Sequence, residues 1–398
     1  MKVPFLDLKR QYEQLKAELE PLVIEVLRSG AYIGGKYVAS FEEEMQTHLG
    51  AKHVIGCANG TDALMIALRA CGVEPGDEVI TTPFTFFATA EAIAAIGAIP
   101  VFVDVQESDF NLDPSKIEAR ITAKTKAILP VHIFGWPCDM DPINQIAQKH
   151  GLNVVEDAAQ AIGSTYKGAK IGKSDNLVTF SFYPTKNLGA FGDAGMITTN
   201  GDDLAIIARA FREHGMAKTG AKARELLYGV HDEFAAASSV DTDALYNPYK
   251  YFNYLVAYNS RLDAVQAAIL SLKLKWIAEY NTRRRQIAAW YDEGLKDVVT
   301  VPSPSVHGES CYHQYAIRTT QKEAMGAFLA ERGIGSGAFY PVPLHLQKAF
   351  EGLGYKAGDL PVAELLARQT VCLPIFPELS REEVEVVIQA IQDFQKAV

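Results

Sequence analysis

From about residue 50 to residue 200 the chain alternates short apolar runs with helical patterns, and this alternation limits its fold more than any other feature. The runs are HVIGC, DEVITT, VFVDV, KAILPVHI, NVVED, VTFSF and MITT; between them lie TDALMIALRA, FATAEAIAAI and DPINQIAQKH. Parallel strands need a crossover, and a helix is the usual one, so this order reads as βα units with helices on both faces of the sheet. The expected class is α/β, with a mostly parallel, seven-stranded-type sheet forming a large domain.

At 398 residues the chain exceeds what one core usually organises, roughly 250 to 300 residues. The pattern also changes after residue 200. Beyond the helix DLAIIARAFREHG, the stretch from Met216 to Tyr249 is rich in Ala, Ser, Asp and Tyr with weak periodicity, and reads as a long excursion without a convincing strand. A long helical pattern then runs from Arg261 to about Leu295. The alternating strand CYHQYAIR, the helix QKEAMGAFLAERG, the apolar run VCLPIF and the helix REEVEVVIQAIQDFQ follow, as in a smaller α+β domain. The expected division is residues 1–255, the N-terminal segment and large domain, and residues 256–398, the long helix and small domain. Leu6, Leu8, Tyr12, Leu15 and Leu19 suit an amphipathic helix packing across a domain or subunit boundary.

A formal net charge of -10 argues against nucleic acid or an anionic membrane as partner, since either requires a concentrated basic patch. The one dense basic run, Arg283, Arg284 and Arg285, reads as a solvated helix face. The N-terminus has no apolar signal-peptide core and no stretch approaches the ~20 apolar residues of a membrane span, so a cytoplasmic location is expected. Cys57, Cys71, Cys138, Cys311 and Cys372 are odd in number and widely spaced without a C-x-x-C pair. They read as small buried hydrophobes; neither a disulfide framework nor a metal site is expected.

Three segments carry candidate chemistry. Asn59-Gly60-Thr61-Asp62 lies between a strand and a helix, where free N–H groups and the helix dipole favour an anion; the same residues also read as an ordinary helix cap. Asp157 closes the strand NVVED, and a carboxylate at a strand's carboxyl end faces the ligand crevice of an open sheet, although it too reads as a helix cap. In TFSFYPTKNLG, Ser181 lies on a strand and Lys186 just beyond it; lysine is the side chain whose pKa falls readily on burial, which suits it to imine chemistry. All three fall at strand ends on one edge of the sheet. Together they meet the needs of pyridoxal phosphate (PLP): a helix start and the Ser181 hydroxyl for phosphate, Asp157 for the ring nitrogen and Lys186 for the imine. Phe84, Phe86 and Phe87 follow another strand end and offer an aromatic face, or core packing.

These motifs, with VPFLDLKRQY, GGKYVASFEEEM, CANGTDAL, GDEVITTPFTFFATAEAI, VEDAAQAIGSTYKG, YNSRLDAVQAAIL, FYPVPLHLQKAF and LPIFPELSREEV, resemble the DegT/DnrJ/EryC1/StrS family of sugar aminotransferases almost end to end. The resemblance implies the fold of type I PLP enzymes, the small-domain arrangement expected above, and PLP as cofactor. It implies that Lys186 is the Schiff-base lysine, Asp157 the pyridinium partner and Gln160 a contact to the ring's substituents. Gly60, Thr61 and Ser181 would bind the phosphate, and Phe86 would stack on the ring. Asn259 would reach the phosphate of the neighbouring subunit in a homodimer. Tyr183, Arg261, His313, Tyr340 and His345 would be substrate-side residues.

The implied reaction moves an amino group from an amino acid, glutamate being the expected donor, to a nucleotide-linked keto-sugar. Lys186 stands where the family's dehydratases carry histidine, which favours transamination over sugar dehydration; a regulator without turnover is the other alternative. Arg261-Leu262-Asp263 after the asparagine resembles members that aminate carbon 3, whereas those aminating carbon 4 more often show R-M-T. Ala257 and Phe339 depart from the family's usual Gly and His and bear on local substrate contacts.

Overall fold

The alternation forms one seven-stranded sheet in the computed structural model, which describes residues 1–231, 251–303 and 306–397. Helices α1 (Leu8–Ser29) and α2 (Gly35–Leu49) precede it. The chain continues through β1 (His53–Cys57), α3 (Gly60–Ala70), β2 (Glu78–Thr81), α4 (Ala88–Ala95), β3 (Ile99–Phe102), β4 (Thr125–Leu129), α5 (Met140–His150) and β5 (Asn153–Asp157). A short hairpin, β6 (Thr165–Tyr166) and β7 (Ala169–Lys170), leads to β8 (Leu177–Ser181), β9 (Gly195–Thr199), α6 (Asp202–Arg212) and α7 (Ala217–Tyr228).

In space the sheet runs β1-β9-β8-β5-β4-β2-β3, and β9 alone is antiparallel to its neighbours. The other six strands therefore end at one edge. They are apolar because both faces are covered: along β1, Val54 packs with Val178, Phe180 and Met196 on one side, while Ile55 packs with Leu64, Leu177 and Ile197 on the other. Burial of a side chain of this size contributes about 1.5–3 kcal/mol.

Helix α8 (Ala264–Leu274) packs on α1 and α2, and its Ala267 and Leu270 join the core under β8. The long helical pattern turns at Trp276, whose N–H donates to the Lys273 carbonyl, and continues as α9 (Ile277–Leu295). A second layer pairs β10 (Tyr315–Arg318) antiparallel with β11 (Thr370–Leu373), and α10 (Lys322–Glu331), α11 (Pro361–Gln369) and α12 (Arg381–Ala397) complete it. Tyr291, Tyr315, Leu329 and Phe376 form its core, joined from the far end of the chain by Val3.

Several expectations need correction. The segment from Met216 holds a helix, α7, which packs on α6 and whose buried residues are small, Gly220, Ala221 and Ala223; a Cβ on Gly220 would lie 1.9 Å from the Gly215 carbonyl oxygen in the turn between the two helices. Its hydrophobic periodicity is faint for that reason; the rest of the excursion, 232–250, lies outside the described residues. The arginine run is not a solvated face. Successive helical residues diverge by about 100°, and Arg284 turns inward, donating to the carbonyls of Tyr312, His313 and Ile375, while Arg283 donates to those of Pro377 and Leu379. The strand expected over CYHQYAIR begins only at Tyr315, because the carbonyls from Cys311 to His313 are held by Asn187 and Arg284 instead of a neighbouring strand. Leu8 is exposed, whereas Leu15 and Leu19 are buried as expected. Four of the five free cysteines are buried, and Cys71 is partly exposed.

Candidate active site

Gly195 pairs with Cys57 on one side and Ser181 on the other, so the carboxyl ends of β1 and β8 lie one strand apart, about 10 Å. Over this gap the chain leaving β1 turns into α3. A Cβ on Gly195 would lie 2.4 Å from the Asn59 carbonyl oxygen, and one on Gly60 would lie 2.7 Å from the Ser181 Cβ. Glycine at both positions lets the helix start settle onto the sheet edge. Asn59 caps it by accepting from the Asp62 N–H (2.8 Å), which leaves the Gly60 and Thr61 amides without an intrahelical acceptor beside the Ser181 hydroxyl.

Directly beside β8, β5 ends in Asp157, buried at 5% exposure. One oxygen accepts from the Ala159 N–H (3.1 Å), the other from the Thr89 hydroxyl (2.8 Å). Thr89 in turn lies 3.1 Å from Thr85, which must be the donor because the Thr89 proton is already committed to a carboxylate. Burial pushes the Asp157 pKa up, opposed by these hydrogen bonds and by the Lys186 charge. Lys186 stands on the loop leaving β8, and its ammonium has no hydrogen-bond or ion-pair partner among the described residues. Burial lowers its pKa to about 8, against the raising pull of Asp157.

Gln160 accepts from the Phe134 N–H (2.7 Å) and donates to the Tyr340 hydroxyl (2.9 Å), which fixes both side chains. His313 is buried, and its pKa is pushed well below the ordinary value by burial and by the charges of Lys186 and Arg284. Asn187 spends its amide protons on Asn281 (2.9 Å) and the Cys311 carbonyl (3.0 Å), so its oxygen accepts from His313 Nδ1 (3.1 Å). The imidazole is thereby held neutral with its proton on Nδ1, leaving Nε2 as an acceptor.

Gly60, Thr61, Phe86, Asp157, Gln160, Ser181, Tyr183, Lys186, His313 and Tyr340 line one cavity of about 760 Å³, within the range of small-molecule sites. Three expected residues stand elsewhere. Asn259 is exposed, bridged through its backbone to Glu213, and Arg261 pairs with the Glu213 carboxylate at 3.5 Å. His345 is buried at 1% exposure and donates to Glu364 (3.2 Å). Thr85, Thr89, Asp62, Asp193 and Gln314 also line the cavity. Of these, Thr85, Thr89, Asp193 and Gln314 carry no functional mark in the sequence; the spacing of four between Thr85 and Thr89, across the start of α4, is the trace the threonines leave.

The donor set fits pyridoxal phosphate. An anion cradle built from glycines that a Cβ would fill, a carboxylate held in place by two donors, a lysine with no hydrogen-bond partner among the described residues and an exposed Phe86 ring share one cavity.

Comparison with known proteins agrees with this fit. The model of the DegT/DnrJ/EryC1/StrS aminotransferase family matches residues 13–392. A pleiotropic regulatory protein of Geobacillus stearothermophilus is 46% identical over all of this chain and 99% of its own length. The dTDP-3-amino-3,4,6-trideoxy-alpha-D-glucose transaminase of Streptomyces venezuelae is 38% identical, covering 100% of this chain and 97% of the relative. The crystal structure of S. venezuelae DesV in complex with a ketimine intermediate superposes with a TM-score of 0.90 at 38% identity, covering 100% and 99% of the two chains.

Proposed function

The chain belongs to the DegT/DnrJ/EryC1/StrS aminotransferase family, and from that premise we propose that it carries an amino group from glutamate to carbon 3 of a nucleotide-linked keto-hexose. It is a PLP-dependent transaminase with the fold of type I aminotransferases. The single observation that carries the reading is the convergence of Lys186, Asp157, Ser181 and the α3 start in one cavity.

When bound, the cofactor supplies a carbonyl that exchanges with amines and a ring that takes up an electron pair. The protein's own residues do the rest. Gly60, Thr61 and Ser181 bind the phosphate, and Gln160, braced by Phe134 and Tyr340, orients the ring's edge. Asp157, fixed by Thr89 and Ala159, holds the ring nitrogen's proton. Lys186 anchors the cofactor through Nζ. Freed from the cofactor, its neutral amine would accept the proton of the donor's α-carbon and deliver it to the cofactor carbon that had carried the imine, and burial, which lowers its pKa, favours that neutral form. Phe86, an exposed ring lining the cavity, would stack on the cofactor ring, and Tyr183 beside it would face the substrate.

The reading includes a homodimer in which Asn259 completes the partner's phosphate site. Its support is that Asn259 is exposed and outside its own cavity, with Val256 94% exposed beside it and Ile33 and Phe191 also exposed. A cytoplasmic location and the division at residue 255/256 belong to the same reading; among the described residues no helix is long and apolar enough to cross a membrane.

The name of the Geobacillus relative favours a second reading, a regulator without turnover. Incubating the loaded enzyme with glutamate and a panel of nucleotide-linked 3-keto and 4-keto hexoses separates the two. An aminated sugar with loss of the lysine-bound cofactor's absorbance supports catalysis, and neither change with any member of the panel supports regulation.

A further inference from the structure

Lys273 on α8 is buried at 1% exposure, yet no carboxylate lies within ion-pair distance of it among the described residues. Its ammonium donates to the Gly189 carbonyl and lies 5.5 Å from the centre of the Phe191 ring. Burial lowers its pKa to about 8, opposed by the charge of Glu378. A backbone carbonyl alone does not need an ammonium; a neutral amide satisfies one at smaller desolvation cost.

The carbonyl belongs to the loop that carries Lys186. That loop leaves β8 at Phe182 and returns to it: the Lys186 N–H donates to the Tyr183 carbonyl (2.8 Å), and the Ala190 N–H donates to that of Phe182 (2.7 Å). Within the loop the backbone folds against itself so closely that a Cβ on Gly189 would lie 2.4 Å from the Pro184 carbonyl oxygen. One wall of the loop is therefore its own backbone. Asn187 is tied to Asn281, the Cys311 carbonyl and His313, and the return of the loop beyond it is held by α8, which touches it at two points seven residues apart, two helical turns and so one face. Lys273 holds Gly189, and the Gln266 side-chain oxygen accepts from the Phe191 N–H (2.9 Å).

We infer that Lys273, assisted by Gln266, is a positioning residue for Lys186: α8 clamps the return of the loop and thereby fixes where the reactive amine sits in the cavity. Neither side chain lines the cavity. The inference rests on Lys186 being the reactive lysine, which Lys186→Ala tests separately.

The test uses Lys273→Met and Gln266→Leu in the full-length chain. In cofactor-free protein, acetylation of Lys186 by acetic anhydride is followed across a pH series by mass spectrometry. In loaded enzyme, conversion of the cofactor by L-glutamate is followed in a single turnover. Loosening the clamp admits water to Lys186, so the acetylation midpoint should rise from about 8 by roughly one pH unit or more. The rate at saturating glutamate should fall about tenfold or more in Lys273→Met and less in Gln266→Leu, with the half-saturating concentration changed less. A variant that melts earlier but keeps the wild-type midpoint and rate has a structural residue only, and that result in Lys273→Met overturns the inference. If Lys273→Met does not fold, Gln266→Leu decides alone: a raised midpoint supports the clamp and a wild-type midpoint overturns it.

Discussion

The Thr89 hydroxyl donates to the buried Asp157 carboxylate across 2.8 Å, and Thr85 supports Thr89 in turn, so the carboxylate is held by a short chain of hydroxyls as well as by its own backbone turn. A hydrogen bond to a charged group contributes about 1.5–3 kcal/mol, equivalent to about 10- to 100-fold in rate if all of it is used in the reaction. Thr89→Val should lower turnover by that order, while Thr89→Ser, which keeps the hydroxyl, stays near wild type. Burial already raises the Asp157 pKa, and losing a donor to its anion raises it further. A carbon-13 titration of Asp157 in the cofactor-free variant should show this. An unchanged carboxylate titration with unchanged rate removes Thr89 from the machinery.

Lys186 offers a pH signature. Its pKa of about 8 lies below the ordinary 10.5, so the neutral amine that captures the cofactor is available at lower pH. The rate of cofactor capture should climb with pH and level off above about 8; a climb continuing toward 10.5 contradicts the burial argument. The stability linkage has a definite sign. Between about 8 and 10.5 the unfolded chain binds this proton and the folded chain does not, so this group's contribution to stability increases with pH across that window and is lost as pH falls through it.

The sheet, and the meeting of Asp157 and Lys186 in one cavity, are readable because each leaves a local mark. Strands β5, β8 and β9 are short buried runs with apolar centres, Asp157 is the last residue of β5, and Lys186 stands on the loop that leaves β8. Thr89 was not readable, since a threonine among alanines at a helix start looks the same whether it caps, packs or holds a carboxylate. Helix α7 was missed because glycine and alanine make its contact. The inward turn of Arg284 depends on carbonyls 28 to 91 positions away in sequence, which no pattern within its own helix reports. Where His345 settles, against Glu364, is likewise a matter of tertiary packing.

Arg284 gives a stability prediction that follows from this correction. Its guanidinium satisfies the carbonyls of Tyr312, His313 and Ile375 in a buried setting, and burial lowers its pKa to about 10. Arg284→Met should destabilise the protein by about 2–4 kcal/mol, because the carbonyls lose their donor without access to water. Thermal unfolding should shift down by several degrees, and His313, carried by the same segment, should lose its fixed orientation. No change in melting would return the residue to the solvated face first expected.

The placement of Asn259 outside its own cavity makes the homodimer testable by mixing. Lys186→Ala removes the anchor and the proton carrier and should abolish turnover. Asn259→Ala should weaken cofactor retention. If sites are shared, a heterodimer of the two variants contains one site with both residues intact and one with neither. Activity should then recover to about half that of a wild-type dimer. Demonstrated heterodimers that stay as inactive as their parents count against a shared site.

The position of amination is the remaining prediction. The segment Asn259-Ser260-Arg261-Leu262-Asp263 resembles carbon-3 aminating members, and the Streptomyces relative is named for a 3-amino product. Moving the reacting carbon by one ring position requires the sugar to turn in the pocket if, as proposed, Lys186 and Asp157 hold the reacting plane still. In this chain Arg261 pairs with Glu213 and Asp263 precedes the first turn of α8, so the local structure also explains both residues as braces. The wall contributed by Tyr183, His313 and Tyr340 is what a turned sugar would meet, with neutral His313 presenting an acceptor to a hydroxyl. NMR of the product formed from glutamate should place the amine on carbon 3, and His313→Phe should reduce discrimination between 3-keto and 4-keto substrates. An amine on carbon 4, with 3-keto sugars inert, would leave the aminotransferase standing and remove the positional claim.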